Sequence, residues 1–240
     1  MQRKRPLILA HRGDSEHFPE NTMAAFDGAM QAGADGIELD VRLCASGELV
    51  VFHDEHLQRL CGDSRRLADL TWAELQSCRV QGQRVPLLRE VFEALPTALI
   101  NVEIKQHALR QALPVVQATI RALREARALD RVVVSSFDPR LLALLRALDP
   151  DVPRALLYAR TQGVVFWQAW LAVPLGVVAL HPQHDLVDAL ALERCRAQGL
   201  RMHVWTVDEP DRIAYLSELG VDAIICNDPA AALGQLATRD

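Results

Sequence analysis

Seven polar side chains suited to catalysis end or follow short apolar runs in the first half of the sequence. They comprise two histidines, two cations and three carboxylates: His11, His53, Arg12, Lys105, Glu38, Asp40 and Glu103. Each apolar run is typical of a buried strand, and the carboxyl ends of parallel strands meet at one edge of a sheet. We therefore expect these side chains to gather at one end of the fold.

The carboxylates have a spacing that favours a metal site. Glu38 and Asp40 lie two residues apart in one run, and Glu103 and Lys105 do so in another, so each pair faces one side of its strand. Clustered carboxylates repel one another and lose hydration on burial, and a bound hard cation offsets both costs. Oxygen ligands without cysteine suit one divalent ion, Mg²⁺, Ca²⁺ or Mn²⁺. The alternative is purely structural ion pairing with Arg12 and Lys105.

His11 and His53 end two separate runs, and imidazole titrates near neutral pH, so together they can supply a general acid and a general base. A single histidine at a strand end is more often a structural hydrogen-bonding group. Two histidines beside a carboxylate cluster, with Arg12 and Lys105 nearby, favour catalysis. Such an inventory is typical of phosphoryl transfer on an anionic ester.

The elements that must position these residues alternate between strand and helix along all 240 residues. The nine expected strands are 7–10, 36–43, 49–53, 99–104, 132–136, 155–158, 176–180, 202–207 and 223–226. Repeated strand–helix units of this total length predict an α/β fold, a (β/α)₈ TIM-type barrel, with residues 1–240 in a single domain. The turn signal at 45–48 predicts a β-hairpin near residues 41–53, which accounts for the ninth strand.

A doubly wound open sheet is the alternative fold. That fold usually carries a glycine-rich phosphate loop after its first strand, whereas this chain continues from its first strand into His-Arg-Gly. No linker, charge run or internal repeat divides the sequence. The barrel is therefore the favoured prediction.

Composition narrows the range of partners. The chain has 31 acidic and 26 basic residues, a net charge of −5, so it lacks the basic excess that nucleic acids attract.

The cysteines and the uncharged stretch bear on the compartment. The five cysteines show no C-x-x-C pair, which fits a reducing compartment, and we expect a cytoplasmic protein. The uncharged stretch 161–183 is interrupted by Pro174 and Gly176, so we expect a buried helix and a buried strand there rather than stable membrane insertion. Nothing in the composition predicts an oligomeric state.

Lysine is scarce in this chain. Of the 26 basic residues, only Lys4 and Lys105 are lysines. One alternative makes Lys105 the Schiff-base residue of a lyase barrel. That chemistry needs a depressed lysine pKa, whereas the neighbouring Glu103 favours the charged amine.

At this point an ordered series of motifs resembles a known family. The motifs are AHRG at 10–13, PENT at 19–22, GADGIELDV at 33–41, GELVVFHDE at 47–55, VPLL at 85–88, NVEIK at 101–105, SSF at 135–137, VWTVD at 204–208 and GVDAIICNDP at 220–229. Together they resemble the glycerophosphodiester phosphodiesterase family, in particular its compact bacterial cytosolic members. The resemblance implies a metal-dependent enzyme of lipid and glycerol metabolism. Its small-molecule substrates would be glycerophosphocholine, glycerophosphoethanolamine and similar diesters, hydrolysed to glycerol 3-phosphate and an alcohol.

Carried over position by position, the resemblance assigns roles to the same seven residues. It makes Glu38, Asp40 and Glu103 the metal ligands, His11 and His53 the acid/base pair, and Arg12 and Lys105 the phosphate contacts. It further implies that the glycerol 2-hydroxyl attacks phosphorus first and that water then opens a cyclic phosphate. Alternatives are a phospholipase C- or D-like phosphodiesterase of the same superfamily and a noncatalytic binding barrel.

Four other residues and one segment receive weaker interpretations. Trp205 ends a late strand and is expected to bind substrate as an apolar wall, with a core position as the alternative. Glu20 and Asn21 in PENT are candidates to reach the site, but we interpret Asn21 as a helix cap. His181 is interpreted as a pocket wall or a structural group. The segment 57–85 is short where the family often inserts a longer lid.

Overall fold

The structure, a computed structural model, describes residues 5–105, 109–163 and 170–237. Its strands in chain order are β1 (Leu7–His11), β2 (Gly36–Leu43), β3 (Leu49–Val51), β4 (Arg79–Val80), β5 (Gln83–Arg84), β6 (Leu99–Ile104), β7 (Val132–Ser136), β8 (Arg154–Tyr158), β9 (Ala179–Pro182), β10 (Arg201–Val204) and β11 (Ala223–Cys226). Most of them are nearly continuous buried apolar runs, as expected of strands covered on both faces.

Eight of these strands close into a parallel barrel in the order β1, β2, β6, β7, β8, β9, β10 and β11, and β11 pairs back with β1. The predicted (β/α)₈ TIM-type barrel is therefore confirmed. The register places His11 beside Glu38, and Asp40 beside Glu103, on neighbouring strands. Residues far apart in the chain thus meet at the carboxyl end of the barrel.

The helices are α1 (Met23–Gln31), α2 (Gln58–Cys61), α3 (Trp72–Leu75), α4 (Leu88–Ala94), α5 (Leu109–Glu125), α6 (Pro139–Leu148), α7 (Ala172–Leu175), α8 (Ala189–Ala197), α9 (Pro210–Leu219) and α10 (Pro229–Ala237). Side-chain caps begin several of them, with Thr22 accepting from Ala25 N and Asp138 accepting from Arg140 N. The main core lies between these helices and the barrel wall. Within the described ranges, no helix is both long and apolar enough to cross a membrane.

The predicted hairpin is present. β3 pairs antiparallel with the end of β2, with Val41 opposite Val51 and Leu43 opposite Leu49. Its strand is shorter than expected, because the chain leaves the ladder after Val51, and Phe52 N then donates to Asp40 O at 2.9 Å. The hairpin therefore returns His53 to the barrel mouth, close to the end of β2.

The segment 57–85 folds against this hairpin. It contains α2, α3 and the small antiparallel pair β4–β5, and it shares a second apolar core with the hairpin. Leu57 and Leu75 are fully buried in that core, alongside Val50 and Phe52 of the hairpin. The hydrophobic packing ties the segment to one side of the barrel mouth.

The uncharged stretch differs in part from the prediction. Its strand is buried as expected but is β9, Ala179–Pro182, rather than 176–180, since Gly176 ends α7 with a positive φ of 59°. The predicted helix falls largely on 164–169, outside the described residues. Of the residues 170–172 that are described, Trp170 is exposed and Ala172 is buried, so the expectation of a buried helix is wrong at Trp170.

Candidate active site

The carboxyl ends of β1, β2 and β6, together with the end of the hairpin, bring all seven predicted residues to one end of the barrel. These three strands are neighbours in the barrel although β2 and β6 are separated in sequence by the hairpin and the segment 57–85. Neighbouring strands lie about 4.8 Å apart, which is the spacing that lets side chains converge on one ion.

The carboxylates form a compact buried cluster. One oxygen from each of Glu38, Asp40 and Glu103 lies within 4.8 Å of the others. All three are buried, with exposed fractions of 3%, 1% and 7%. Desolvation, followed by repulsion from Asp40 and Glu103, raises the pKa of Glu38 well above its ordinary value. Burial also raises the pKa of Glu103 to about 6.

Two cations contact this cluster from the side. Lys105 Nζ lies 2.6 Å from Glu103 Oε1 and 3.0 Å from Asp40 Oδ1, and Arg12 Nε lies 3.2 Å from Asp40 Oδ2. Although burial alone would raise the pKa of Asp40, these cations hold it below its ordinary range. Burial would also lower the pKa of Lys105, but Asp40 and Glu103 outweigh it and raise that pKa.

The donor set fits a divalent metal. Glu38 accepts a hydrogen bond from Arg12 N at 3.1 Å, but in the described ranges no lysine or arginine side chain lies within 4.0 Å of its carboxylate. Two cations therefore face three buried carboxyl groups, and the raised pKa values of Glu38 and Glu103 reflect burial and mutual repulsion that a further cation would offset. The ligands are all oxygens, as Mg²⁺, Ca²⁺ and Mn²⁺ prefer.

His11 is held in one orientation by Asn227. Its Nδ1 lies 2.7 Å from Asn227 Oδ1, an oxygen that also accepts from Ser15 Oγ, while Asn227 Nδ2 donates to Asp208 Oδ2 at 2.6 Å. Because the amide oxygen faces the ring, Nδ1 is the protonated nitrogen and Nε2, at 4.0 Å from Glu38, carries a lone pair. Desolvation, aided by Arg12, lowers the pKa of His11 to about 4.

His53 is fixed in a similar way. Its Nδ1 donates to Asp54 Oδ1 at 2.6 Å, and its backbone carbonyl accepts from Arg42 Nε at 2.8 Å. Burial is the largest cause that lowers the pKa of His53 below its ordinary value. Both histidines are therefore neutral near pH 7, each bound through Nδ1, with Nε2 left for proton transfer.

Asn21 shows where the interpretation from sequence was wrong. Thr22, not Asn21, caps α1, and Asn21 instead donates from Nδ2 to Asp40 Oδ2 at 2.8 Å while its Oδ1 accepts from Asp40 N at 3.3 Å. Asn21 is buried and adopts a positive φ of 57°, a conformation that asparagine tolerates better than most residues. It orients the carboxylate of Asp40.

Two aromatic residues follow late strands, Phe137 after β7 and Trp205 after β10. Trp205 is half-buried and packs against the apolar cluster of Leu9, Ala223 and Ile225. Trp205 donates from Nε1 to His181 O at 2.7 Å, and its ring packs edge-on against Phe137 at a centroid distance of 5.4 Å. His181 is completely buried in the barrel interior. Of its two interpretations, the structural one fits this position.

Arg59 and Asn227 were missed as site residues. Arg59 is a partly exposed residue of α2 that pairs with Glu20 and Asp54. In the sequence it is one of many arginines, and nothing local distinguishes it. Asn227 follows β11, far from His11 in the chain. Only barrel closure, with β11 beside β1, reveals its partner.

Comparisons with known proteins agree with this architecture. Residues 11–231 match the glycerophosphoryl diester phosphodiesterase family. A protein of Caldanaerobacter subterraneus subsp. tengcongensis named glycerophosphodiester phosphodiesterase is 36% identical over 234 residues, which cover 93% of this chain and 94% of the relative.

Solved structures share the fold. A glycerophosphodiester phosphodiesterase of Thermotoga maritima superposes with a TM-score of 0.79 at 29% identity, covering 95% of this chain and 97% of the other. An Oleispira antarctica phosphodiesterase in complex with the product sn-glycerol-3-phosphate gives a TM-score of 0.88 at 24% identity, with 97% of each chain covered. With the barrel and the residues at its mouth in place, the sequence match shows that this chain is an enzyme of the glycerophosphoryl diester phosphodiesterase family.

Proposed function

We propose that this protein hydrolyses glycerophosphodiesters to glycerol 3-phosphate and a free alcohol. The observation that carries the proposal is the buried cluster Glu38, Asp40 and Glu103, flanked by two neutral histidines that are both held through Nδ1. A carboxylate cluster alone would suit many metal proteins. The added pair of proton-transfer groups, with Arg12 and Lys105 beside them, suits a phosphodiester.

We infer that Glu38, Asp40 and Glu103 hold one divalent ion. When bound, such an ion withdraws charge from phosphoryl oxygen and lowers the pKa of a nearby hydroxyl. Asn21 supports this role, because it fixes the orientation of Asp40 through two hydrogen bonds.

The histidines carry the protons. One takes the proton of the glycerol 2-hydroxyl as its oxygen bonds to phosphorus, and the other gives a proton to the departing alkoxide. Water then opens the resulting cyclic phosphate with the two roles reversed. His11 and His53 are both neutral before substrate binds, and the anionic phosphodiester favours protonation of the histidine that acts as acid.

Lys105 and Arg12 bind the phosphate. Lys105 is 12% exposed at its side chain and Arg12 17%, so both are desolvated enough for strong charge-assisted hydrogen bonds yet still reachable from the mouth. Their contacts with Asp40 fix them in place before substrate arrives. The raised pKa of Lys105 keeps the amine charged, and that argues against the Schiff-base alternative.

The substrate assay that tests the proposal measures release of glycerol 3-phosphate from the water-soluble diesters with a coupled dehydrogenase. For an intact phospholipid it measures release of the headgroup alcohol or phosphoalcohol. Glycerophosphocholine, glycerophosphoethanolamine, glycerophosphoglycerol and an intact phospholipid would be compared at equal concentration with added divalent metal. We expect turnover of the water-soluble diesters and little of the intact lipid. Turnover of the lipid alone would favour the phospholipase-like alternative, and no turnover of any diester would refute the proposal.

A further inference from the structure

A continuous chain of hydrogen bonds and ion pairs links His53 to Arg12 at the barrel mouth. His53 Nδ1 bonds to Asp54 Oδ1 at 2.6 Å, and Glu20 Oε1 accepts from Arg12 NH1 at 2.8 Å. Arg59 joins the two carboxylates. We call Asp54, Arg59 and Glu20 the rim chain, because they link a proton-transfer residue to a phosphate-contact residue.

Arg59 is bidentate toward both carboxylates. It donates to Asp54 from Nε at 2.6 Å and NH2 at 3.0 Å, and to Glu20 from NH1 at 2.9 Å and NH2 at 2.7 Å. Planar guanidinium groups favour this two-pronged geometry, which fixes orientation as well as distance. The carboxylate side chains are only 22% and 18% exposed, so they are better shielded from water than an ordinary surface pair.

The backbone of Arg59 is anchored by the packing of α2. Arg59 lies in α2, next to the fully buried Leu57, whose side chain belongs to the core that the segment 57–85 shares with the hairpin. The hairpin also carries His53. A segment that sequence suggests is only a shortened lid therefore supplies an anchored cation to the site.

We propose that Arg59 is a positioning residue that fixes the positions of His53 and Arg12 relative to each other, through Asp54 on one side and Glu20 on the other. The proposal rests on the proposed function, in which His53 moves a proton and Arg12 binds the phosphate. Asp54 keeps the Nδ1 proton of His53 in place, while Arg59 offsets the charge of Asp54. On the other side, Arg59 keeps Glu20 turned toward Arg12.

Removing the guanidinium changes the charge around His53 in a definite direction. The groups that face His53 are Asp54 and Asp40, which favour its charged form, and Lys105 and Arg12, which disfavour it; Arg42 binds its backbone carbonyl. Loss of the Arg59 charge leaves Asp54 and Glu20 less compensated. The limb of the pH–rate profile that belongs to His53 then moves to higher pH, whether His53 is acid or base.

The test uses the full chain with Arg59→Gln, Arg59→Lys and the control Arg65→Gln. Arg65 lies in the same segment, is 53% exposed at its side chain and pairs with Asp63 and Glu74, away from the rim chain. We expect Arg59→Gln to lower kcat/KM by about tenfold to a hundredfold, the scale of a misplaced catalytic group, and to move the His53 limb upward. Arg59→Lys should restore the position of the limb but not the full rate, and Arg65→Gln should change neither.

A histidine proton NMR titration separates failure of this proposal from failure of the proposed function. It reads the pKa of His53 directly in the wild-type chain and in Arg59→Gln, without any substrate. A higher His53 pKa in the variant supports the coupling even if no diester is turned over. An unchanged His53 pKa, or unchanged kcat/KM and pH profile in an active enzyme, would overturn it.

Discussion

The early and late halves of the barrel differ in the side chains that they turn inward. At the ends of β1, β2 and β6 the inward residues are ionic, with three carboxylates and two cations in contact. The buried polar residues of β7, β9 and β10 are uncharged and include Ser135, His181 and His203. The clustered charge at the carboxyl end is thus concentrated on three adjacent strands.

The difference also shows that a buried histidine is not by itself a catalytic one. His181 and His203 stack at a centroid distance of 4.7 Å in the late half, and burial lowers the pKa of His203 to about 4, the same value as for His11. His203 borders a cavity of about 730 Å³ at the opposite, amino-terminal end of the barrel. What distinguishes His11 is its place beside Glu38.

Removal of a histidine from the early half should have the largest effect on activity. His11→Ala and His53→Ala should each lower kcat by about 10²- to 10⁴-fold, the usual contribution of a proton-transfer residue, with an unchanged circular dichroism spectrum. The exposed His56 offers a matched control, and His56→Ala should keep wild-type turnover. Near-wild-type activity in either early-half variant would remove that residue from the mechanism.

The next largest effect should come from Lys105→Arg. The lysine amine fits between Glu103 and Asp40 at 2.6 and 3.0 Å, and a planar guanidinium is too large to keep both contacts without shifting a carboxylate. We expect a loss of about a hundredfold in kcat/KM although the charge is conserved. Full activity of Lys105→Arg in a steady-state assay would show that position 105 needs a positive charge but not a lysine.

A smaller effect is expected from the late half at Trp205. Trp205→Phe keeps an aromatic ring but loses the hydrogen bond to His181 O. If the ring forms the expected apolar wall for substrate, KM should rise a few-fold, about 1 kcal/mol of binding, while kcat stays near wild type. A kcat loss as large as that of His11→Ala would erase the distinction between the two halves.

The smallest effect on activity is expected at His203, where the consequence should be on stability instead. Burial lowers the pKa of His203 from 6.5 to about 4 in the folded state, so the unfolded chain binds a proton that the folded chain does not. Its contribution to stability is therefore lost as pH falls below about 6.5, by about 2 kcal/mol between pH 7 and pH 5. Urea unfolding at both pH values should show a weaker pH dependence for His203→Gln, and an equal dependence would contradict this.

The elements and the metal-like cluster could be predicted from the sequence because both depend on local patterns. Apolar runs mark β1, β2 and β6, and the two-residue spacing of Glu38 and Asp40 shows that they share a face. The partners of Asn227 and Arg59 could not be predicted from local patterns. The contact of Asn227 with His11 needs β11 to pair with β1, and the contacts of Arg59 need the segment 57–85 to pack against the hairpin. The prediction for Asn21 was wrong because Asn21 and Thr22 are both good helix caps by residue type. Thr22 caps α1, and Asn21 contacts Asp40 instead.

We propose that the early half of the barrel assembles a metal-dependent catalytic site around Glu38, Asp40 and Glu103. The most direct test removes metal with a chelator and then titrates glycerol 3-phosphate release with Mg²⁺, Ca²⁺ or Mn²⁺, in the wild-type chain and in Glu103→Gln. We predict no turnover in chelator, saturable recovery in the wild type, and a need for about 10-fold or more metal in the variant, as one charged ligand is lost. Full turnover of the wild-type enzyme in excess chelator would contradict the account.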